Sequence, residues 1–181
     1  MKHVFLFQFF FTITVLISQN NGPKEISPQI LLKLNTEIDK EVPALKLMLL
    51  KKEFTAEQIE FSIDTFRIEQ LVSKRMDIDY TTFGMNTTVM EKTNSYDKLM
   101  NRYYYKLLKS LNVNDKKVLI KAQKSWLVFR DTEAKLINTL TKEQYSGGGT
   151  IQSNIATASY SDIVIQRTIA VFNYYDALIK K

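Results

Sequence analysis

The chain has no cysteine in its 181 residues, and its one histidine is His3. The missing cysteine excludes disulfides, thiolate metal sites, a cysteine nucleophile and lipid attachment through an N-terminal cysteine. Beyond residue 3 the missing histidine excludes a serine-histidine-acid triad, an H-E-x-x-H zinc site and a histidine general base. Serine-lysine or paired-carboxylate catalysis stays open, but no G-x-S-x-G turn is present, and a pair of carboxylates among 19 acidic residues carries no signal. Glycine and proline are scarce, at 5 and 3, which argues against a many-turned sandwich or barrel. No enzyme activity, cofactor or metal is expected.

What is present is ordinary globular composition, 45% hydrophobic and 24% charged, enough for one core in one compact unit. Long helices suit this residue usage, so the fold class expected is all-α. The start reads Met1-Lys2-His3, then an apolar stretch from Val4 to Ile17, then the polar run Ser18 to Gly22. That is the layout of a secretory signal, too short for a comfortable membrane span, with cleavage expected after Ser18 or Gln19. An uncleaved anchor is the rival reading. Export implies a periplasmic or secreted protein without a lipid anchor. The formal charge of +6 falls to +5 once Lys2 leaves. It is spread over mixed-sign runs such as Lys51-Lys52-Glu53, so a solvated surface is expected rather than a nucleic-acid site.

Apolar spacing divides the remainder into a helical arm with a loop over 19–85 and a helical domain over 86–181, a bundle of three long helices with an N-terminal arm. Ile30, Leu31, Leu34 and Ile38 mark a first helix over Ser27 to Glu41, which Pro43 should end or kink. Thr55 and Gln58 form a capping box for a second helix, with Ile59, Ile63, Phe66 and Leu71 on its inner face. The periodicity fails from Asp77 to Asn86, which reads as an ordered loop. A third helix from Val89 carries Thr93, Tyr96, Met100, Tyr103, Leu107 and Leu111. A fourth carries Val118, Ala122, Trp126, Phe129, Glu133, Leu136 and Leu140 and is stopped by Gly147-Gly148-Gly149. Thr150 is expected to cap the last helix, with Ile155, Ala158, Ile165, Ile169, Phe172 and Ile179 facing inward.

Three spots carry candidate chemistry. Asp77 and Asp79 have calcium-loop spacing, but Thr81 and the late Gly84 break the EF-hand order, so loop capping is the better reading. The three glycines could cradle an anion at a helix start, but no lysine follows, which favours a plain helix stop. Gln123, Trp126 and Arg130 share one helix face with Leu119 and Ile137, because offsets of three and seven return to the same side at about 100° per residue. An arginine aimed at the core requires a carboxylate, and Asp97 or Glu133 could supply it. A salt bridge that locks helices together and a ligand contact are the two meanings open for Arg130.

These same residues resemble the LprI-type lysozyme-inhibitor family of exported bacterial proteins. Asp97 to Tyr104 is similar to the family's D-x-x-L-N-x-x-Y helix, which supplies Asp97, Asn101 and Tyr104, with Met100 in place of the leucine. Gln123 to Asp131 resembles its Q-x-x-W-x-x-[FY]-R-[DN] signature, in Gln123, Trp126, Arg130 and Asp131. Gly148, Gly149 and Thr150 resemble its G-G-[ST] turn, and Arg167 stands where the family has an arginine in the last helix. Many members carry two cysteines where this chain has Ala134 and Ser159, so the disulfide the family implies is missing and packing must replace it.

The resemblance implies a non-catalytic binding domain that inhibits lysozyme, with the turn from Tyr145 to Gln152 as the segment a sugar cleft would accept. The charge works against this partner, because many lysozymes are cationic. An envelope adaptor or scaffold that binds a protein or wall component is the alternative, and a carboxylate hydrolase is a third. Tyr103-Tyr104-Tyr105 and Tyr174-Tyr175 suit either a core or an interface, so the oligomeric state stays open.

Overall fold

The structure, a computed structural model, describes residues 22–180; the expected signal segment lies outside them. Six helices follow in order: α1 Pro28–Lys51, α2 Ala56–Met76, α3 Thr82–Ser110, α4 Val113–Leu140, α5 Glu143–Ser146 and α6 Ile151–Ile179. No strand occurs among the described residues, and no helix among them is long and apolar enough to cross a membrane.

α3 and α6 form the spine. Leu99, Met100 and Tyr103 from α3 meet Val171 and Phe172 from α6 in the central cluster, on which Phe61, Ile68, Tyr104, Trp126 and Tyr175 pack. Each fully buried large side chain there contributes on the order of 1.5–3 kcal/mol through removal of apolar surface from water. Thr168 donates its hydroxyl to the carbonyls of Val164 at 2.8 Å and Tyr96 at 3.1 Å, so this small polar residue ties the two helices together. The aromatic pattern of α3 is thus core, with Tyr96, Met100, Tyr103 and Leu107 all buried as their spacing requires.

The arm packs α1 on α2 and α2 on α3. The capping box at Thr55 forms as expected: Gln58 N donates to Thr55 Oγ1, and Thr55 N donates to Gln58 Oε1 at 3.0 Å. Pro43 does not end the first helix, since α1 runs through it to Lys51. Pro43 is exposed, so the carbonyl freed by its missing N–H faces water, while Leu34, Ile38 and Leu49 bury on either side of it and hold the helix.

The loop expected over Asp77 to Asn86 is shorter, because α3 already begins at Thr82. Thr81 caps that helix by accepting from Gly84 N at 2.9 Å, and Asp79 fixes Thr81 by accepting from its hydroxyl at 2.7 Å. A Cβ at Gly84 would stand 2.1 Å from the Asp79 side chain. Gly84 therefore serves close packing inside the first turn of the helix, and Asp79 is a capping residue.

Three expectations about the last two long helices are corrected. α4 ends at Leu140, and the glycine run stops the short α5, whose C-cap Gly147 has φ 79°. Thr150 starts α6 without a side-chain cap hydrogen bond. The inward faces also differ. α6 buries Ser161, Val164, Thr168, Val171, Phe172 and Asp176, so of the predicted stripe only Phe172 is buried, while Ile155, Ile169 and Ile179 are exposed. On α4 only Leu119 is buried, and Val118, Phe129, Leu136 and Leu140 all point to solvent. α6 is apolar nearly all round and α4 has two stripes, so hydrophobicity alone did not mark the packed side.

Candidate functional site

The packed face of α4 is the one that carries Leu119, Gln123, Trp126, Arg130 and Ile137, offset by threes and fours. Where it crosses α6, Arg167 donates from Nε and Nη2 to Gln123 Oε1 at 3.1 and 3.0 Å. Gln123 Nε2 in turn lies 3.8 Å from Met100 Sδ. Both Arg130 and Arg167 stand over the Trp126 ring, with guanidinium carbons 5.4 and 5.8 Å from its centroid. The indole thus accepts two cations by cation–π attraction and also packs on the core.

Arg130 does not pair with Asp97 or Glu133. It donates to its neighbour Asp131 at 2.9 and 2.7 Å, because its side chain bends along α4 over Trp126 instead of reaching across to α3. Among the described residues Arg167 has no carboxylate partner, and burial pulls its guanidinium below the usual arginine range. The charge is held there by a neutral amide oxygen and a ring face. The arrangement clamps α4 onto the spine.

The remaining motif residues divide between two places. Asn101 donates to the Asp97 backbone carbonyl and carboxylate at 2.9 and 3.0 Å, a local bond along α3, and Tyr104 packs on the core beside Tyr105. Gly148, Gly149 and Thr150 stand apart, in the turn that joins α5 to α6. There Gly147, Gly148 and Gly149 all take left-handed φ values of 79°, 79° and 90°, which a side chain would strain. Ser146 ties the turn: its hydroxyl donates to Thr141 O at 3.0 Å and accepts from Gly148 N at 3.2 Å. Tyr145 and Ile151 flank the glycines and are 61% and 56% exposed.

One constellation escaped the sequence reading. Lys106 on α3 donates to Glu57 and Glu60 on α2 at 2.6 and 3.1 Å, and Tyr175 from α6 donates to Glu57 at 3.3 Å. Burial opposes the Lys106 charge, yet the hydrogen bonds and charges of Glu57 and Glu60 hold its pKa above the ordinary lysine value. Burial, aided by Glu69 or by Glu57 and Glu60, raises Tyr96, Tyr103 and Tyr175 as well. These partners lie tens of residues apart, so no local spacing could have revealed them. Among the described residues no group of three acidic, histidine or cysteine side chains could hold a metal ion.

The family model described as Lysozyme inhibitor LprI matches residues 73–170 of this chain. The matched stretch runs from the end of α2 through α3, α4 and α5 into α6 and contains the Trp126 clamp and the glycine turn. No curated protein and no solved structure matches the chain.

Proposed function

Since the chain belongs to the lysozyme inhibitor LprI family, we propose that it is an exported bacterial binding protein that blocks a lysozyme-like muramidase without performing catalysis itself. The observation that carries the reading is the turn from Tyr145 to Gln152. It is fixed by three left-handed glycines and by Ser146 before any partner arrives, so little ordering entropy is lost on binding. Tyr145 presents an amphipathic ring and Ile151 an apolar tip, side chains suited to a sugar-binding cleft. The Trp126 clamp serves this turn from a distance by holding α4 and α6, which flank it, in register.

Purified protein starting near Gln19 should slow the clearing of a bacterial suspension by lysozyme, followed as turbidity. Tyr145→Ala should weaken that inhibition about tenfold with an unchanged unfolding midpoint, as expected for loss of a central aromatic contact. Because the protein is positive, inhibition of a cationic muramidase should strengthen as salt screens the long-range repulsion. Lysis that proceeds unchanged at every salt concentration sinks the reading. The second reading, an envelope adaptor, draws its support from the apolar outer face of α4.

A further inference from the structure

On the outer side of α4, Val118, Ala122, Ser125, Phe129, Thr132 and Leu136 follow one another at alternating intervals of four and three, the spacing of a seam made for another helix. All six are exposed, the large ones by 68% at Val118, 53% at Phe129 and 48% at Leu136. The small residues between them leave room for a second backbone to approach. At its N-terminal end the seam opens into a groove of about 450 Å³ between α4, α3 and α6, walled mainly by apolar side chains such as Leu107, Leu111, Val118, Tyr174 and Leu178, with Asp115 as its one acidic lining residue.

A basic ridge borders this seam. At about 100° per residue, Lys117, Lys121, Lys124 and Lys135 fall within an arc of roughly 60°, directly opposite the packed face. None of the four takes part in an ion pair among the described residues. We propose that this face is the docking site for an acidic amphipathic helix of a partner protein, its apolar side chains on the seam and in the groove, its carboxylates on the lysine ridge.

The chemistry selects against other occupants. A second copy docked antiparallel would set ridge against ridge, four lysines facing four. A bilayer wants a continuous face of bulky apolar groups, whereas this stripe is interrupted by Ser125 and Thr132 and ends in a concavity. A cationic muramidase would be repelled from the ridge, so the face is distinct from the Tyr145 turn and its occupant is a different partner.

The test uses a labelled synthetic peptide about three heptads long with leucine at its core positions and glutamate beside them, and a twin with lysine for glutamate. Fluorescence anisotropy with the whole protein should show binding of the glutamate peptide only. Phe129→Ser should weaken it about tenfold, and Lys121→Glu with Lys124→Glu by at least as much, with helical circular dichroism unchanged. The assignment is overturned if neither peptide binds, if the two bind alike, or if the substitutions leave binding intact. It is equally overturned if vesicles containing phosphatidylglycerol capture the protein in place of the peptide, or if sedimentation shows a dimer that Phe129→Ser dissolves. Lysozyme inhibition plays no part in these readouts, so this docking face and the Tyr145 turn stand or fall separately.

Discussion

α3 and α4 are near twins in length, 29 and 28 residues, and both show apolar positions at helical spacing, yet α3 buries eight residues and α4 one. The difference is one of neighbours. α3 lies between α2 and α6 and is enclosed on both sides, while α4 leans mainly on α6 through a face that is partly polar. A helix pattern therefore reports that an apolar face exists, and the number of surrounding elements decides whether that face becomes core or surface.

The sharpest way to break this comparison is to cut matched residues from the two helices. Tyr103 is fully buried, with ring contacts to Phe61, Phe172 and Tyr175, so Tyr103→Ala should cost about 3–5 kcal/mol in urea unfolding. Leu119→Ala, the corresponding cut at the one buried position of α4, should cost about 2 kcal/mol, the low end for such truncations, because the cavity opens beside a solvent groove and can relax. Equal losses would mean that α4 shares the core as fully as α3.

Alkaline pH draws the same line by titration. The raised groups, Tyr96, Tyr103, Lys106 and Tyr175, all lie on α3 and α6. In each, the folded state keeps its proton to higher pH than the unfolded chain does. Their stabilisation is complete below the unfolded values, about 10 for tyrosine and lysine, and is lost as pH rises from there toward the folded values. Unfolding midpoints should hold from neutral pH to about 9 and fall above 10. Lys106 also lowers the Tyr175 pKa, so the comparison is made in a Tyr175→Phe background, where adding Lys106→Met should make that fall shallower; an unchanged slope would show that the Glu57 and Glu60 contacts do not form in solution.

A smaller effect belongs to the clamp that joins the two regions. Gln123→Leu keeps the volume but removes the acceptor of two Arg167 hydrogen bonds, leaving a half-buried cation with only the Trp126 face, at a cost of about 1–3 kcal/mol. The double variant Gln123→Leu with Arg167→Met should recover most of that loss, since it removes the unsatisfied charge along with its acceptor. No recovery would show that Gln123 acts through Met100 and not through Arg167.

The clamp also shows how far the sequence was legible. Offsets of three and seven place Gln123, Trp126 and Arg130 on one face, and the structure packs that face inward. The sequence already aimed that face at the core through Arg130, whereas hydrophobic periodicity alone preferred the stripe through Val118, Trp126, Phe129 and Leu136, of which only Trp126 packs on the central cluster. The Arg167 bond to Gln123 spans 44 residues and is set by how α4 crosses α6, a tertiary fact outside any local pattern. α3 was legible because its polar and apolar faces do not compete, and the capping box at Thr55 because it closes within three residues. The turn at Gly147 to Gly149 was legible as a stop, but its short helix α5 was not, since four residues carry no period.

The smallest expected effect is the most telling about α4. Phe129 and Leu136 would be core residues by sequence, and replacing either with serine in a real core would cost several kcal/mol. Here both are about half exposed, so Phe129→Ser and Leu136→Ser should each change stability by no more than about 0.5 kcal/mol, the range of ordinary surface changes. Solubility should rise, because an apolar stripe about 27 Å long, from Val118 to Leu136 at about 1.5 Å per residue, is shortened. A cost near that of Tyr103→Ala would place the stripe inside an assembly already formed in solution. A neutral result leaves it as a surface kept apolar at the expense of solubility, as the proposed docking face requires.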